Sequence, residues 1–193
     1  SVSQGVAVCN CLPKTAWPRS EYFDLLSPTG EPMGITKERN AVHRDGDWHP
    51  SVHIFVIQGD RVLLQRRKWD KESFPGKLDL ACTGHVDAGE DYLTAARREL
   101  QEELNLAAGA DDLRYLFTQK LEVDADFGHG RFVSNEHCRV YLLNPAVPLT
   151  TLRYQAEEID ELVWVDRHTD ITGADYCLLP AEWHKAMGLI FGA

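Results

Sequence analysis

The stretch from Gly84 to Leu106 constrains this chain more than any other, because it sets three carboxylates beside an apolar stripe. Read as a helix at about 100° per residue, Glu99, Glu102 and Glu103 fall within one narrow arc. Leu93, Ala96, Leu100 and Leu104 fall on the adjacent arc, the stripe a packed helix needs. Such a helix buries its leucines and crowds its acids. Like charges at these spacings weaken a helix by about a few tenths of a kcal/mol per pair. A divalent cation removes that penalty, since hard ions such as Mg²⁺ take oxygen ligands and share them with substrate phosphates. A run of glutamates alone more often marks a solvated face, so the three acids by themselves do not decide.

The surrounding spacing does. Gly84, five intervening residues, Glu90, seven more, then Arg98-Glu99-Leu100-x-Glu102-Glu103, resembles the Nudix box across residues 84–106. The resemblance implies a loop–helix–loop that binds Mg²⁺ or Mn²⁺ and hydrolyses a diphosphate linkage. It implies metal ligation by Glu99, Glu102 and Glu103 with the Gly84 carbonyl, and a Glu90–Arg98 pair tying loop to helix. Asn105 stands where the box ends on glycine. A left-handed helix end is expected there, and asparagine is the side chain that conformation tolerates best after glycine.

The chain has 193 residues, 44% apolar and 26% charged, which suits one domain with a substantial core. That domain is expected over residues 21–193. Residues 1–20 show no periodicity and carry Pro13 and Pro18, so they read as an extension. A net charge of −10 argues against broad nucleic-acid or anionic-membrane binding. An anionic substrate must then be received by a local basic patch or by metal. There is no apolar run of membrane-spanning length, and the first residues lack a signal peptide's basic start. The five cysteines are odd in number and mostly scattered, as in reduced cytoplasmic proteins; Cys9-Asn10-Cys11 has no second pair to complete a metal site.

In chain order, Glu21–Leu26, a turn at Ser27–Pro32 and a strand around Met33–Thr36 form an N-terminal hairpin. His43, His49 and His53 lie close together, a spacing open to metal binding, but polar loops and strand starts so often carry histidine that spacing alone favours the plain reading. Val52–Ile57 and Arg61–Gln65 read as a second hairpin, followed by the basic island Arg66–Lys71. Leu78–Cys82 is expected to be one strand delivering Gly84. Beyond the box come strands at Arg114–Val123, Glu136–Leu143 and Leu162–Val165, a loop at Asp124–Gly130, and a last helix from Pro180 to Leu189. The expected fold is α/β (α+β), a Nudix-type α/β/α sandwich with a mixed β-sheet and an N-terminal hairpin.

Residues 21–190 also resemble the Nudix subgroup related to type I isopentenyl-diphosphate isomerase. The markers are Phe23-Asp24, Gly30, His43-x5-His49, Arg67-x3-Lys71, Phe74-Pro75-Gly76, Gly84-His85 and Asn135-Glu136. The resemblance implies a second metal site at His43, His49 and His85, and diphosphate binding by Arg67, Lys71 and Arg98. It also implies a catalytic role for Glu136. Two positions depart from the isomerase: Thr83 replaces its cysteine, and Ser134 replaces a glutamate ligand. Cys82 is one residue off, which in a strand is the opposite face.

These features favour a metal-dependent hydrolase acting on a small-molecule diphosphate, with Mg²⁺ or Mn²⁺ lowering the pKa of a water and Glu103 or Glu136 as general base. Glu102 is counted with them among the catalytic acids. An isomerase-like enzyme using Cys82 is the second reading, and an inactive diphosphate-binding module the third. Trp48, Trp69 and Phe127 are open to base stacking, prenyl contact or plain packing, and a homodimer is left open.

Overall fold

The computed structural model describes residues 21–192, so the extension and its Cys9-Asn10-Cys11 pair lie outside the described residues. Alternation along the strands builds the core. In β3 (Trp48–Phe55), β5 (Arg61–Arg67) and β9 (Arg131–Leu143), successive side chains point to opposite faces. Val52, Ile54, Leu63, Tyr141 and Leu143 pack with Ala96, Leu100 and Leu104 of one helix. Phe55, Val62, Leu64, Val140 and Leu142 pack with Trp183 and Ala186 of another. Sheets in the middle with a helix on each face make the α/β/α arrangement that the pattern implies.

The chain opens with the expected hairpin, β1 (Tyr22–Leu26) on β2 (Pro32–Glu38). A short helix that sequence reading missed follows, α1 (Arg39–Asp45). It is seven residues long with only Val42 and His43 buried, too short to show a period. Glu38 caps its first turn by accepting from the Ala41 N–H at 3.2 Å, and Gly46 ends it at φ 74°.

One sheet is mixed. It runs β7 (Cys82–His85), β3, β9, β8 (Leu113–Asp126), and β3 lies parallel to β9 while the other pairs are antiparallel. The other sheet is antiparallel: β5 lies between β10 (Ile159–Asp166) on one side and β4 (Ile57–Gln58) and β6 (Leu78–Leu80) on the other.

Two expectations fail at sheet corners. Val52–Gln65 is not one hairpin: β3 stops at Phe55 and joins the mixed sheet, and only β4 turns back on β5. Likewise Leu78–Cys82 is not one strand, because β6 pairs with β5, Ala81 bends the chain, and β7 crosses to β3. Both bends satisfy apolar runs buried on both faces, a pattern that leaves no trace of where a strand changes sheets.

The box helix, α2 (Tyr92–Leu104), starts where Asp91 accepts the Thr94 N–H at 2.7 Å. It ends on Asn105 in the left-handed conformation, φ 55°, with Asn105 Nδ2 donating to the Thr151 carbonyl at 2.9 Å. The last helix, α3 (Pro180–Phe191), takes Pro180 at its first turn, where a missing N–H costs nothing.

Candidate active site

Gly84 on β7 lies directly against α2. A Cβ there would sit 2.3 Å from Glu99 Cδ, so glycine is what allows the strand to touch the acidic face. Glu99 and Glu103 are drawn inward beside it, while Glu102 has 55% of its side chain exposed. Burial lifts Glu99 to about 7, against the pull of the neighbouring Arg98. Burial, then the facing Glu99, drives Glu103 well above the usual carboxylate range. Glu103 Oε2 is sealed and has no hydrogen-bond partner among the described residues. Oxygen donors crowded together with an unanswered buried oxygen fit a hard divalent cation such as Mg²⁺ or Mn²⁺.

Arg98 organises the loop before the helix. It donates to Glu90 at 2.8 and 2.9 Å, to the His85 carbonyl at 3.1 Å, and to Glu99 at 2.9 Å. A longer contact, 3.3 Å, reaches Glu102. Its guanidinium is thus committed to the box itself, which leaves little for a substrate. Glu90 Oε1 also accepts the Asp87 N–H at 2.9 Å, and Asp24 from the N-terminal hairpin accepts the Gly89 N–H at 2.8 Å.

The three implied histidines do come together. His43 on α1, His49 on β3 and His85 on β7 each offer a nitrogen within 4.8 Å of the others. Phe23 is the floor of this cluster, its ring 5.1 Å from that of His49 and 4.7 Å from that of His85. Burial lowers the pKa of all three, His43 to about 3, so they are neutral. His49 Nδ1 is 2.9 Å from the Asp47 carbonyl, which can only accept, so Nδ1 holds the proton and Nε2 presents a lone pair. That Nε2 and both nitrogens of His43 are buried without partners among the described residues. Glu136 Oε1 stands 3.9 Å from His85 Nε2, and its other oxygen accepts from Ser134 at 2.9 Å. Neutral imidazoles with free lone pairs next to a carboxylate fit a transition metal better than Mg²⁺. His53, the third histidine of the early stretch, faces elsewhere; His85 takes its place.

One cavity of about 980 Å³ joins these parts, lined by Glu99, Glu102, Glu103, His85, Glu136, Arg67 and Lys71 among others. The basic island is present but engaged. Arg67 donates to the Ser73 carbonyl at 3.1 Å and lies 3.5 Å from Asp79; Lys71 bonds Glu158. Arg66 and Lys68 turn away to Glu161, Asp175 and Asp160. Sequence reading did not single out Glu158, which lies some 90 positions from its lysine in a polar run without period. Cys82 is fully buried among the α2-facing residues, whereas Thr83 lines the cavity.

The family model described as the NUDIX domain matches residues 47–171. The chain belongs to the NUDIX family. Nudix hydrolase 3 of Arabidopsis thaliana is 41% identical over 179 residues, 89% of this chain but only 23% of that protein. The chain therefore spans less than a quarter of that relative's length. An isopentenyl-diphosphate Delta-isomerase of Ruegeria pomeroyi is 32% identical over 134 residues, 69% of this chain and 71% of its own. Among solved structures, a MutT NUDIX hydrolase from Burkholderia pseudomallei aligns with a TM-score of 0.55 at 22% identity, covering 74% of this chain and 98% of that one. That likeness speaks for the NUDIX fold alone. No helix among the described residues is long and apolar enough to cross a membrane.

Proposed function

We propose that this chain is a divalent-cation-dependent hydrolase that cleaves a diphosphate linkage in a small organic molecule by attack of water on phosphorus. The observation that carries this reading is the sealed, unpartnered Glu103 Oε2 beside Glu99, with Gly84 against the same acids. Glu99, Glu102 and Glu103 would hold the cation, which supplies charge compensation for phosphate oxygens and acidifies a water. Glu103 is the favoured general base, because its Oε2 has no competing hydrogen-bond partner among the described residues while its other oxygen is left for the cation. Its Oε2 would take the proton of the attacking water. Lys71 and Arg67 would exchange Glu158 and Asp79 for substrate phosphate oxygens. The histidine cluster with Glu136 would hold a second, softer ion.

That cluster also keeps an isomerase-like reading in second place. Against it, Cys82 packs toward α2 and Thr83 occupies the cavity-facing position, so Cys82 offers no thiol to a carbon skeleton; Cys177 lines the cavity but donates its thiol to the Leu78 carbonyl at 3.4 Å. A phosphate-release screen with Mg²⁺ and Mn²⁺ across nucleoside diphosphates and triphosphates, nucleotide sugars, dinucleotides and isopentenyl diphosphate tests the proposal. Release that disappears in Glu103→Gln supports it. Formation of the isopentenyl isomer without release from any compound would overturn it.

A further inference from the structure

The segment matched by the family model starts at residue 47, so the β1–β2 hairpin lies wholly before it. Yet that hairpin grips the loop that leads into α2. Alternation along β1 puts the buried Phe23 against the histidines and leaves Asp24 half-buried on the other face. One Asp24 oxygen stays within the hairpin and accepts the Thr36 hydroxyl at 2.7 Å. The other crosses 65 positions of sequence to accept the Gly89 N–H at 2.8 Å. Beside it, the Tyr22 carbonyl accepts the Ala88 N–H, also at 2.8 Å.

The turn from Asp87 to Glu90 cannot satisfy itself. Its Glu90 N–H bonds the Asp87 carbonyl at 3.0 Å, and its Asp87 N–H bonds Glu90 Oε1 at 2.9 Å. The two N–H groups between them, those of Ala88 and Gly89, are the ones β1 receives. Gly89 holds φ 84°, a conformation that only an over-determined turn keeps in one place. Glu90 in turn takes the Arg98 guanidinium on both oxygens, at 2.8 and 2.9 Å, and Arg98 donates to Glu99 at 2.9 Å. An unbroken line of bonds thus runs from the hairpin through Gly89, Glu90 and Arg98 to a carboxylate of the acidic face. Groups behind a metal ligand set its orientation and with it the affinity for the ion.

We infer that Asp24 is a positioning residue for the cation: it fixes the turn before α2 and, through Glu90 and Arg98, sets the aim of Glu99. This rests on the reading of Glu99, Glu102 and Glu103 as cation ligands, and its test separates the two. Mg²⁺ alone, an ion that neutral imidazoles do not favour, is titrated into the full chain while amide chemical shifts are followed by NMR. Asp24→Ala is expected to weaken Mg²⁺ binding about fivefold or more, because partners behind a ligand commonly contribute tenfold or more and Asp24 acts at one further remove. Asp24→Asn keeps an oxygen for the Gly89 N–H and should stay within about twofold of wild type. Thr36→Val loosens the hairpin without touching Gly89, so it should lower the melting temperature yet leave the affinity within about twofold. Linkage supplies a second reading in wild type, which decides the matter if Asp24→Ala does not fold. If the Gly89 bond strengthens Mg²⁺ binding about fivefold, saturating Mg²⁺ must slow hydrogen exchange at the Gly89 amide by about the same factor. Unchanged affinity in folded Asp24→Ala, an equal loss in Thr36→Val, or Gly89 exchange indifferent to Mg²⁺ overturns the inference and leaves the cation reading standing. Failure of wild type to bind Mg²⁺ at all overturns both.

Discussion

Gly84→Ala isolates the contact on which the acidic site is built. The added Cβ would meet Glu99 Cδ at 2.3 Å, and Cγ and Oε1 at 2.5 Å. Glu99 is not free to swing aside: its side chain is 13% exposed and Arg98, held by Glu90, donates to its Oε1 at 2.9 Å. Overpacking of this kind costs about 1–3 kcal/mol. Gly84 is not among the positive-φ glycines, so alanine also gains by stiffening the unfolded chain, by about 0.4–1 kcal/mol. At mid-range the net cost is about 1.3 kcal/mol, or roughly 3–5 °C in melting temperature for a domain of this size. Thermal unfolding by circular dichroism, without added metal, reads the shift. The same substitution in a Glu99→Ala background should cost far less, since the three clashing atoms are gone. If Gly84→Ala melts at or above wild type, or costs as much without Glu99, the close contact between β7 and α2 is wrong.

Other consequences can be measured in the same way. Glu99 titrates near 7 when folded against 4.5 when unfolded, so between these values the folded chain holds a proton that the unfolded chain has released. Its contribution to stability is present below pH 4.5 and lost as pH rises through about 7. Metal-free wild type should therefore lose stability relative to Glu99→Gln across that window in pH-dependent melts, and saturating Mg²⁺ should shrink the loss; a gap that does not change with pH contradicts this. The histidine cluster should bind Co²⁺ with a visible d–d absorption band, and His43→Ala should weaken that binding by roughly 10-fold or more. An unaltered titration in His43→Ala would remove the cluster from the site. Cys82→Ala should leave hydrolysis within about twofold of wild type while lowering stability by about 1 kcal/mol, because the thiol packs against α2 rather than facing substrate. A collapse of activity in a folded Cys82→Ala protein would revive the isomerase-like reading.

What the sequence showed and what it hid follow from range. Glu99, Glu102 and Glu103 share one face because helical period is local, and Asn105 takes the left-handed turn for a local reason too. The hairpin of β1 and β2 is legible because its turn residues sit between its strands. The parting of β3 from β5 at Val56 and of β6 from β7 at Ala81 is not, since both faces of those strands are apolar and buried. The basic island looked free for phosphate, whereas Lys71 and Arg66 meet acids about ninety and a hundred positions away. The partnership of His53 with Glu182 is equally silent in sequence, because strand and helix reach the cavity from separate ends of the chain. His85 joined His43 and His49 only through resemblance; spacing alone, with His53 in the same stretch, favoured ordinary loop and strand histidines.

Whether water attacks phosphorus is decided by following the oxygen. The substrate identified by the release screen is turned over with Mg²⁺ in ¹⁸O-enriched water, and the phosphate products are analysed by mass spectrometry. One labelled oxygen is expected on one phosphate product per cleavage, with no turnover in Glu103→Gln. Unlabelled phosphates, or cleavage that persists undiminished in Glu103→Gln, would contradict attack by water on phosphorus with Glu103 as the base.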